Sequence, residues 1–227
     1  VEPLQRCLPP LPGFLEGLRA VCSDCDVLLI FDEVVTGFRL AYGGAQERYG
    51  VTPDLIAYGK ALGGGMPIGA YGGRREIMEL VQEDRSDSCP ERYVWTASTL
   101  GGNHVSAAAA NAALAIYRRA GCYDQLSRLG DYLRQGIANV VEDCGIAAQI
   151  LGAGPLASLV FAEVPAKDYR SSRHQRPELA RSLMLNLFAR DVFINPMRTK
   201  FYLSLAHTKS DCDEFCSRLA DALHDAL

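Results

Sequence analysis

Two residues of this sequence are of the types and in the places to act together on a small molecule. Asp32 ends an apolar run, residues 27–31, and Lys60 stands three positions before three consecutive glycines. A carboxylate that follows five apolar residues is expected to be partly desolvated, and to stay ionised it needs a cationic or hydrogen-bonding partner. The plainer reading is that an aspartate at a strand end caps the next turn, and for Asp32 alone that reading is preferred. Lys60 sits in the segment DLIAYGKALGGGMPIG, residues 54–69. A lysine amine whose pKa is lowered by burial can attack a carbonyl carbon. Glycines at 63–65 let the backbone pass close to a bulky ligand where side chains would not. A nucleotide-type phosphate loop does not fit: Asp54 stands five residues before Gly59 where that loop needs glycine, and Ala61 follows Lys60 where it needs serine or threonine.

The elements that must position this pair follow from the apolar pattern. Pro12 opens a helical stretch with Phe14, Leu15, Leu18, Val21 and Cys22 on one face. The run 27–31 reads as a strand buried on both faces, 55–58 as a second strand, and 66–71 as a third apolar run before a helix over 74–82. Strands alternating with helices predict a mostly parallel α/β sheet. Ligands of such sheets bind at the carboxyl ends of the strands, where Asp32 and Lys60 stand. Further on, helices are expected over 103–119 and 123–143, the second with Leu126, Leu129, Leu133, Ile137 and Val140 at three- and four-residue spacing. A strand over 156–163, a helix over 177–190, a strand over 201–205 and a terminal helix from Ser210 complete the pattern. The expected division is a part of a large domain over 1–120, a bridging helix over 121–144 and a small α+β domain over 145–227.

Composition narrows the function classes. With 227 residues and 48% of them hydrophobic, the chain can fill a real core. Its net charge of −4, with Lys and Arg scattered, offers no basic face, which argues against a nucleic-acid partner. No stretch reaches the ~18 apolar residues of a membrane span. Eight cysteines spread through a chain of this size read as reduced thiols in a cytoplasmic setting. Cys22 and Cys25 lack a second pair at zinc-finger distance, Cys212 and Cys216 lie one helical turn apart, and His207 fits a strand-to-helix turn, so no metal site is expected. Val1 reads as the end of a strand, and residues upstream of it, with any targeting signal, are expected to be missing from the sequence.

A carboxylate and a lysine at the ends of two successive strands are the pair that pyridoxal phosphate (PLP) requires. The carboxylate keeps the pyridine nitrogen protonated, and the lysine holds the aldehyde and shuttles a proton. Spacing alone leaves this and the plainer reading open. The segments LLIFDEVVTGFR (28–39), GGAQ (43–46), the lysine segment and AHT (206–208) closely resemble the class III PLP-dependent aminotransferases, nearest the subgroup of glutamate-1-semialdehyde 2,1-aminomutase. The resemblance implies the fold-type I architecture: a large α/β domain with a mostly parallel sheet, a small α+β C-terminal domain, and a homodimer with its active site at the subunit interface. It implies that Asp32 pairs with the ring nitrogen, that Val34 packs on one ring face, and that Lys60 carries the cofactor. Thr99 would reach the phosphate of the neighbouring subunit's cofactor. Ser98 stands where the family usually has glycine, and the plainer reading of Ser98 and Thr99 is that they begin the next helix. The loop that cradles the phosphate and the aromatic on the other ring face would precede Val1.

The resemblance also places residues 196–201 opposite the substrate. Aminomutases of the subgroup carry a glutamate about where Thr199 stands, whereas some transaminases of β-amino acids have an arginine near Arg198 that grips a carboxylate as a two-pronged donor. A solvated loop residue is the equal alternative for Arg198. The implied activity is transfer of an amino group between an amino acid or amine and a keto acid. An aminomutase is the alternative. A non-catalytic fragment serving as a dimerisation module is the reading from another class, against which the intact Asp32 and Lys60 both stand.

Overall fold

The computed structural model describes residues 1–4, 6–83, 90–168, 170–171, 175–195 and 199–226. Contacts divide the chain into two compact units, one of Val1–Gln5 with Pro12–Ala120 and one of Arg6–Leu11 with Gly121–Leu227.

The first unit is built on a three-stranded sheet in the order β1 (Ile30–Glu33), β2 (Leu55–Tyr58), β3 (Ala70–Gly73). β1 and β2 are parallel, with Ile30 opposite Leu55 and Glu33 opposite Tyr58. β3 runs antiparallel on the other side of β2, an arrangement common in otherwise parallel sheets. It starts at Ala70 rather than Met66 because Pro67, which has no N–H, interrupts the apolar run. Helix α1 (Phe14–Asp24) covers one face of β1 and β2 through Leu15 and Cys22, which pack with Leu29, Phe31, Val51 and Ile56. Phe14 and Val21 are exposed, contrary to the sequence reading. At about 100° per residue, positions 15, 18 and 22 share a stripe that 14 and 21 miss.

Within this chain the run 27–31, read as a strand buried on both faces, is covered on one face only. Burial alternates along β1: Phe31 and Glu33 are enclosed, while Ile30 is 49% exposed and Asp32 is exposed with it. A strand sends successive side chains to opposite faces, and α1 covers one face. Short helices α2 (Gly44–Tyr49) and α3 (Arg75–Met78) follow β1 and β3, and α4 (His104–Tyr117) closes the unit.

A buried carboxylate fastens the entry to β2. Asp54 accepts hydrogen bonds from the Leu29 N–H at 2.7 Å and the Arg19 guanidinium at 2.7 Å, and from Arg74 at 3.2 Å. Its own N–H donates to the Leu29 carbonyl at 2.8 Å. The Leu29 N–H first, then Arg19, holds the Asp54 carboxyl down at about 2.

The second unit places the long helix α5 (Cys122–Asp143) and helices α6 (Pro177–Phe188) and α7 (Lys209–His224) with an antiparallel sheet in the order β4 (Gln149–Leu151), β5 (Leu156–Val160), β6 (Lys200–Tyr202). The apolar stripe of α5 is buried as its spacing predicts as far as Ile137, with Leu129, Leu133 and Ile137 against Leu183, Leu187 and Leu219; beyond it Val141 is enclosed and Val140 only half-buried. Full burial of such a leucine is worth about 2 kcal/mol. Thr208 and Asp211 form a reciprocal cap at the start of α7.

Candidate active site

Parallel pairing brings the two chemically suggestive residues to one edge of the sheet. Asp32 lies opposite Ala57, and Lys60 follows the last residue of β2 by two positions, so both stand at the carboxyl end of the β1–β2 pair. The Asp32 side chain points to the face that α1 does not cover, and its Oδ1 accepts from the Val34 N–H at 3.1 Å. The expected partial desolvation is not found within this chain: Asp32 and Lys60 are both exposed. Val34 is half-buried and stands against Gly59, where an added Cβ would lie 3.3 Å from Val34 Cγ1. Val34 therefore borders the residue that leads into the lysine.

Lys60 itself has a left-handed backbone, with φ +46°. In an L-residue this costs about 1–2 kcal/mol, so its surroundings must enforce it. Lys60 begins a 3-10 turn, Lys60–Gly63, that docks on α4. Gly64, at φ +57°, is seated there: a Cβ on it would come within 3.2 Å of the Ala109 carbonyl oxygen and of the Ala113 methyl. At Gly63 a Cβ would meet Ile68 Cγ2 at 2.9 Å, whereas at Gly65 it would meet nothing within 4 Å. Two of the three glycines therefore serve packing of the turn, a correction to reading the whole run as room for a ligand. From the far end of α4 the Tyr117 hydroxyl donates to the Ala61 carbonyl at 3.0 Å.

Behind Asp32 lies a residue that sequence reasoning passed over. Glu33 is fully buried. Its carboxylate accepts from the Thr36 hydroxyl at 3.0 Å, the Ala45 N–H at 2.6 Å and the Gln46 N–H at 2.9 Å. Burial pushes its carboxyl up, outweighing the two N–H donors and the hydroxyl that pull it down. Gly44, at φ +75°, has no room for a Cβ, which would fall on the Glu33 carboxylate. The network extends to β2, because Gln46 Nε2 donates to the Tyr58 hydroxyl at 3.0 Å and Phe38 packs on the Tyr58 ring at 5.1 Å. The signal for Glu33 was available in strand alternation: if Asp32 faces the site, the next carboxylate must face the core and find donors there.

The remaining candidates lie apart from this edge or beyond what is described. Thr99 is exposed in a turn in which the Gly101 N–H donates to the Ser98 carbonyl at 2.9 Å. The reading that Ser98 and Thr99 begin the next helix is overturned. Helix α4 begins at His104, capped by the Asn103 side chain, which accepts from the Ser106 N–H at 3.0 Å. Arg198, with Pro196 and Met197, lies outside the described residues. Thr199 is buried, and its hydroxyl donates to the Leu159 carbonyl within the second unit. His207 occupies the turn before α7, where its Nδ1 accepts from the Ser204 N–H at 3.0 Å. Among the described residues no three or more His, Cys, Asp and Glu side chains are grouped so as to hold a metal ion, and no helix is long and apolar enough to cross a membrane.

A parallel strand pair with a carboxylate and a lysine at its carboxyl edge, accompanied by an α+β unit, belongs to the fold-type I class of α/β transferases. Within that class, the chain belongs to the class III aminotransferase family, whose sequence model matches residues 2–223. It is 39% identical to glutamate-1-semialdehyde 2,1-aminomutase 2 from Brevibacillus brevis, over all of this chain and 51% of that protein. Among solved structures it resembles an omega-transaminase from Sphaerobacter thermophilus, with 33% identity and a TM-score of 0.89 over 99% of this chain and 51% of that one. A β-phenylalanine aminotransferase from Variovorax paradoxus has 29% identity and a TM-score of 0.81, again over 99% and 51%. The chain thus spans about half the length of the relatives it matches.

Proposed function

We propose that the protein to which this chain belongs is a PLP-dependent aminotransferase that moves an amino group between an amino acid or amine and a keto acid. The observation that carries this reading is the meeting of Asp32 and Lys60 at one carboxyl edge of a parallel strand pair in a class III family member. The residues fit the cofactor. Asp32 Oδ1 accepts one backbone N–H, which leaves carboxylate lone pairs free to accept from a protonated pyridine nitrogen. The exposed Lys60 amine stands at the same edge for the aldehyde, and Val34, two residues after Asp32 and against Gly59, would offer an apolar surface for the ring.

When bound, pyridoxal phosphate supplies an electron sink for the charge left on a substrate carbon. Asp32 would hold the ring proton on which that sink depends. Lys60 would hold the cofactor's aldehyde, and its amine, once free, would be the base that takes the proton from the amino-bearing carbon of the substrate. Thr99, exposed beside Leu100 and a short way from exposed Trp95, would meet the phosphate bound by a second copy of the protein, which makes the working unit a homodimer with a shared site. Arg198 would grip a substrate carboxylate. Every cysteine among the described residues is a free thiol, in keeping with a cytoplasmic protein.

An aminomutase is the second reading, favoured by the identity to a glutamate-1-semialdehyde 2,1-aminomutase. Against it stands Thr199, near where the resemblance would put that subgroup's glutamate, with its hydroxyl spent on a backbone carbonyl. Consumption of a separate keto acid distinguishes the two. Isomerisation of a single substrate with no exchange into added keto acid would rule out the transaminase. The cofactor assignment is tested by borohydride reduction followed by peptide mapping: the label should sit on Lys60 and vanish in Lys60→Ala. A reducible adduct that persists on another lysine would show the assignment to be wrong.

A further inference from the structure

We propose that Tyr117 is a positioning residue for Lys60: its hydroxyl clamps the turn from which the lysine side chain departs. The inference rests on the role of Lys60 proposed above. The left-handed backbone of Lys60 is confined on both sides. Before it, Gly59 is wedged between Val34 and the Ile68 carbonyl, 3.3 and 3.6 Å from the place a Cβ would take. Across it, the Leu62 N–H donates to the Gly59 carbonyl at 3.1 Å and closes the turn. After it, the Ala61 carbonyl is held by the Tyr117 hydroxyl at 3.0 Å and more loosely by the Gly64 N–H at 3.3 Å.

Tyr117 is well suited to this task. It closes a 14-residue helix, so its backbone is fixed, and a tyrosine has few rotatable bonds to restrain. The same helix seats Gly64 through Ala109 and Ala113, where small side chains allow the close approach. Without the hydroxyl, the carbonyl that follows Lys60 keeps the longer bond alone. The turn can then relax toward ordinary backbone angles and aim the amine elsewhere. Because Tyr117 acts on a backbone carbonyl and not on substrate, the defect should fall on the proton-transfer step rather than on binding.

The test is Tyr117→Phe in the holoenzyme loaded with pyridoxal phosphate, which deletes one oxygen and keeps the ring. kcat should fall about five- to tenfold with KM changed less than about twofold. The pH midpoint of the lysine-bound cofactor's absorbance, read without substrate, should move by ~0.5 or more, since that midpoint reports the surroundings of the lysine nitrogen. Ala113→Leu, which lifts Gly64 from its seat, should give the same signature. Tyr132→Phe, which removes a phenol bond of 2.6 Å to Asp213 in the second unit, should change neither quantity. Unchanged kcat and midpoint in Tyr117→Phe would overturn the inference, as would a lower unfolding temperature with no kinetic or spectral change. Should the parent protein carry no reducible cofactor on Lys60, the proposed function fails and the inference with it. A normal parent beside a normal Tyr117→Phe sinks the inference alone.

Discussion

Replacing Asp54 with asparagine should destabilise the protein in a way that depends on pH with a defined sign. The folded state holds this carboxyl at about 2 against an ordinary 3.8. Integrated by linkage, that difference is worth at most about 2 kcal/mol. The contributions are unequal. The Leu29 N–H is the largest, Arg19 follows with its side chain 25% exposed, and the contribution of Arg74, at 52% exposure, is screened by solvent. Because the folded value is depressed, the stabilisation is fully present above pH ~4 and is lost as pH falls through 3.8 toward 2. Denaturant melts of the parent and Asp54→Asn from pH 6 to pH 2.5 should therefore show a gap of about 2 kcal/mol that mostly closes at the acid end. Arg74→Ala should cost little at any pH. A gap of the same size at pH 2.5 and pH 6, or an Arg74→Ala loss as large as that of Asp54→Asn, would refute the assignment of stability to this carboxylate.

Gly44→Ala should cost at least about 2 kcal/mol in the same melts, since alanine at φ +75° is strained and its methyl falls on the Glu33 carboxylate. Glu33 has the opposite pH sign to Asp54: burial raises its pKa, so its contribution is greatest below 4.5 and declines as pH rises through the raised value, a trend that Glu33→Gln should abolish. Asp32→Asn should keep some cofactor by absorbance yet lose on the order of 100-fold in turnover, because the ring nitrogen is no longer held protonated. Arg198→Ala should raise KM for acidic or β-amino-acid donors by roughly 10- to 100-fold, or ~1.5–3 kcal/mol, with simple amines that lack a carboxylate little changed. Equal loss for both donor classes would make Arg198 structural.

The second unit was the more legible in sequence, for a physical reason. Helix α5 repeats leucines at 126, 129 and 133 with Ile137, and all four are buried, because a long amphipathic helix carries its own period. Strand β4, Gln149–Leu151, was missed because three residues are too few to display an alternation. In the first unit the run 27–31 was apolar throughout, yet one face of it is open. Composition reports that a segment can be buried, and the elements packed against it decide which side is. Asp32 and Lys60 stood out as a pair, a carboxylate after one apolar run and a lysine before a glycine run, in segments that resemble the family. Tyr117 was passed over because its partner, Ala61, lies 56 residues away and no local pattern carries a contact that distant, whereas Glu33 was open to reading from the alternation of β1.

The arrangement of the first unit explains why an exposed carboxylate and an exposed amine can still hold a geometry. Each is anchored through its backbone, and the Asp32 carboxylate is held in addition by the Val34 N–H. Asp32 is followed by a turn tied to α2 through Glu33, and Lys60 opens a turn tied to α4 through Tyr117 and Gly64. Asp54 fastens the opposite end of the same strand pair to α1 through Arg19. The β1–β2 pair is thereby braced at both ends by elements of its own unit, and the side chains at its carboxyl edge remain open to a ligand. The site proposed for Asp32 and Lys60 would thus meet its ordering cost during folding, before a ligand arrives.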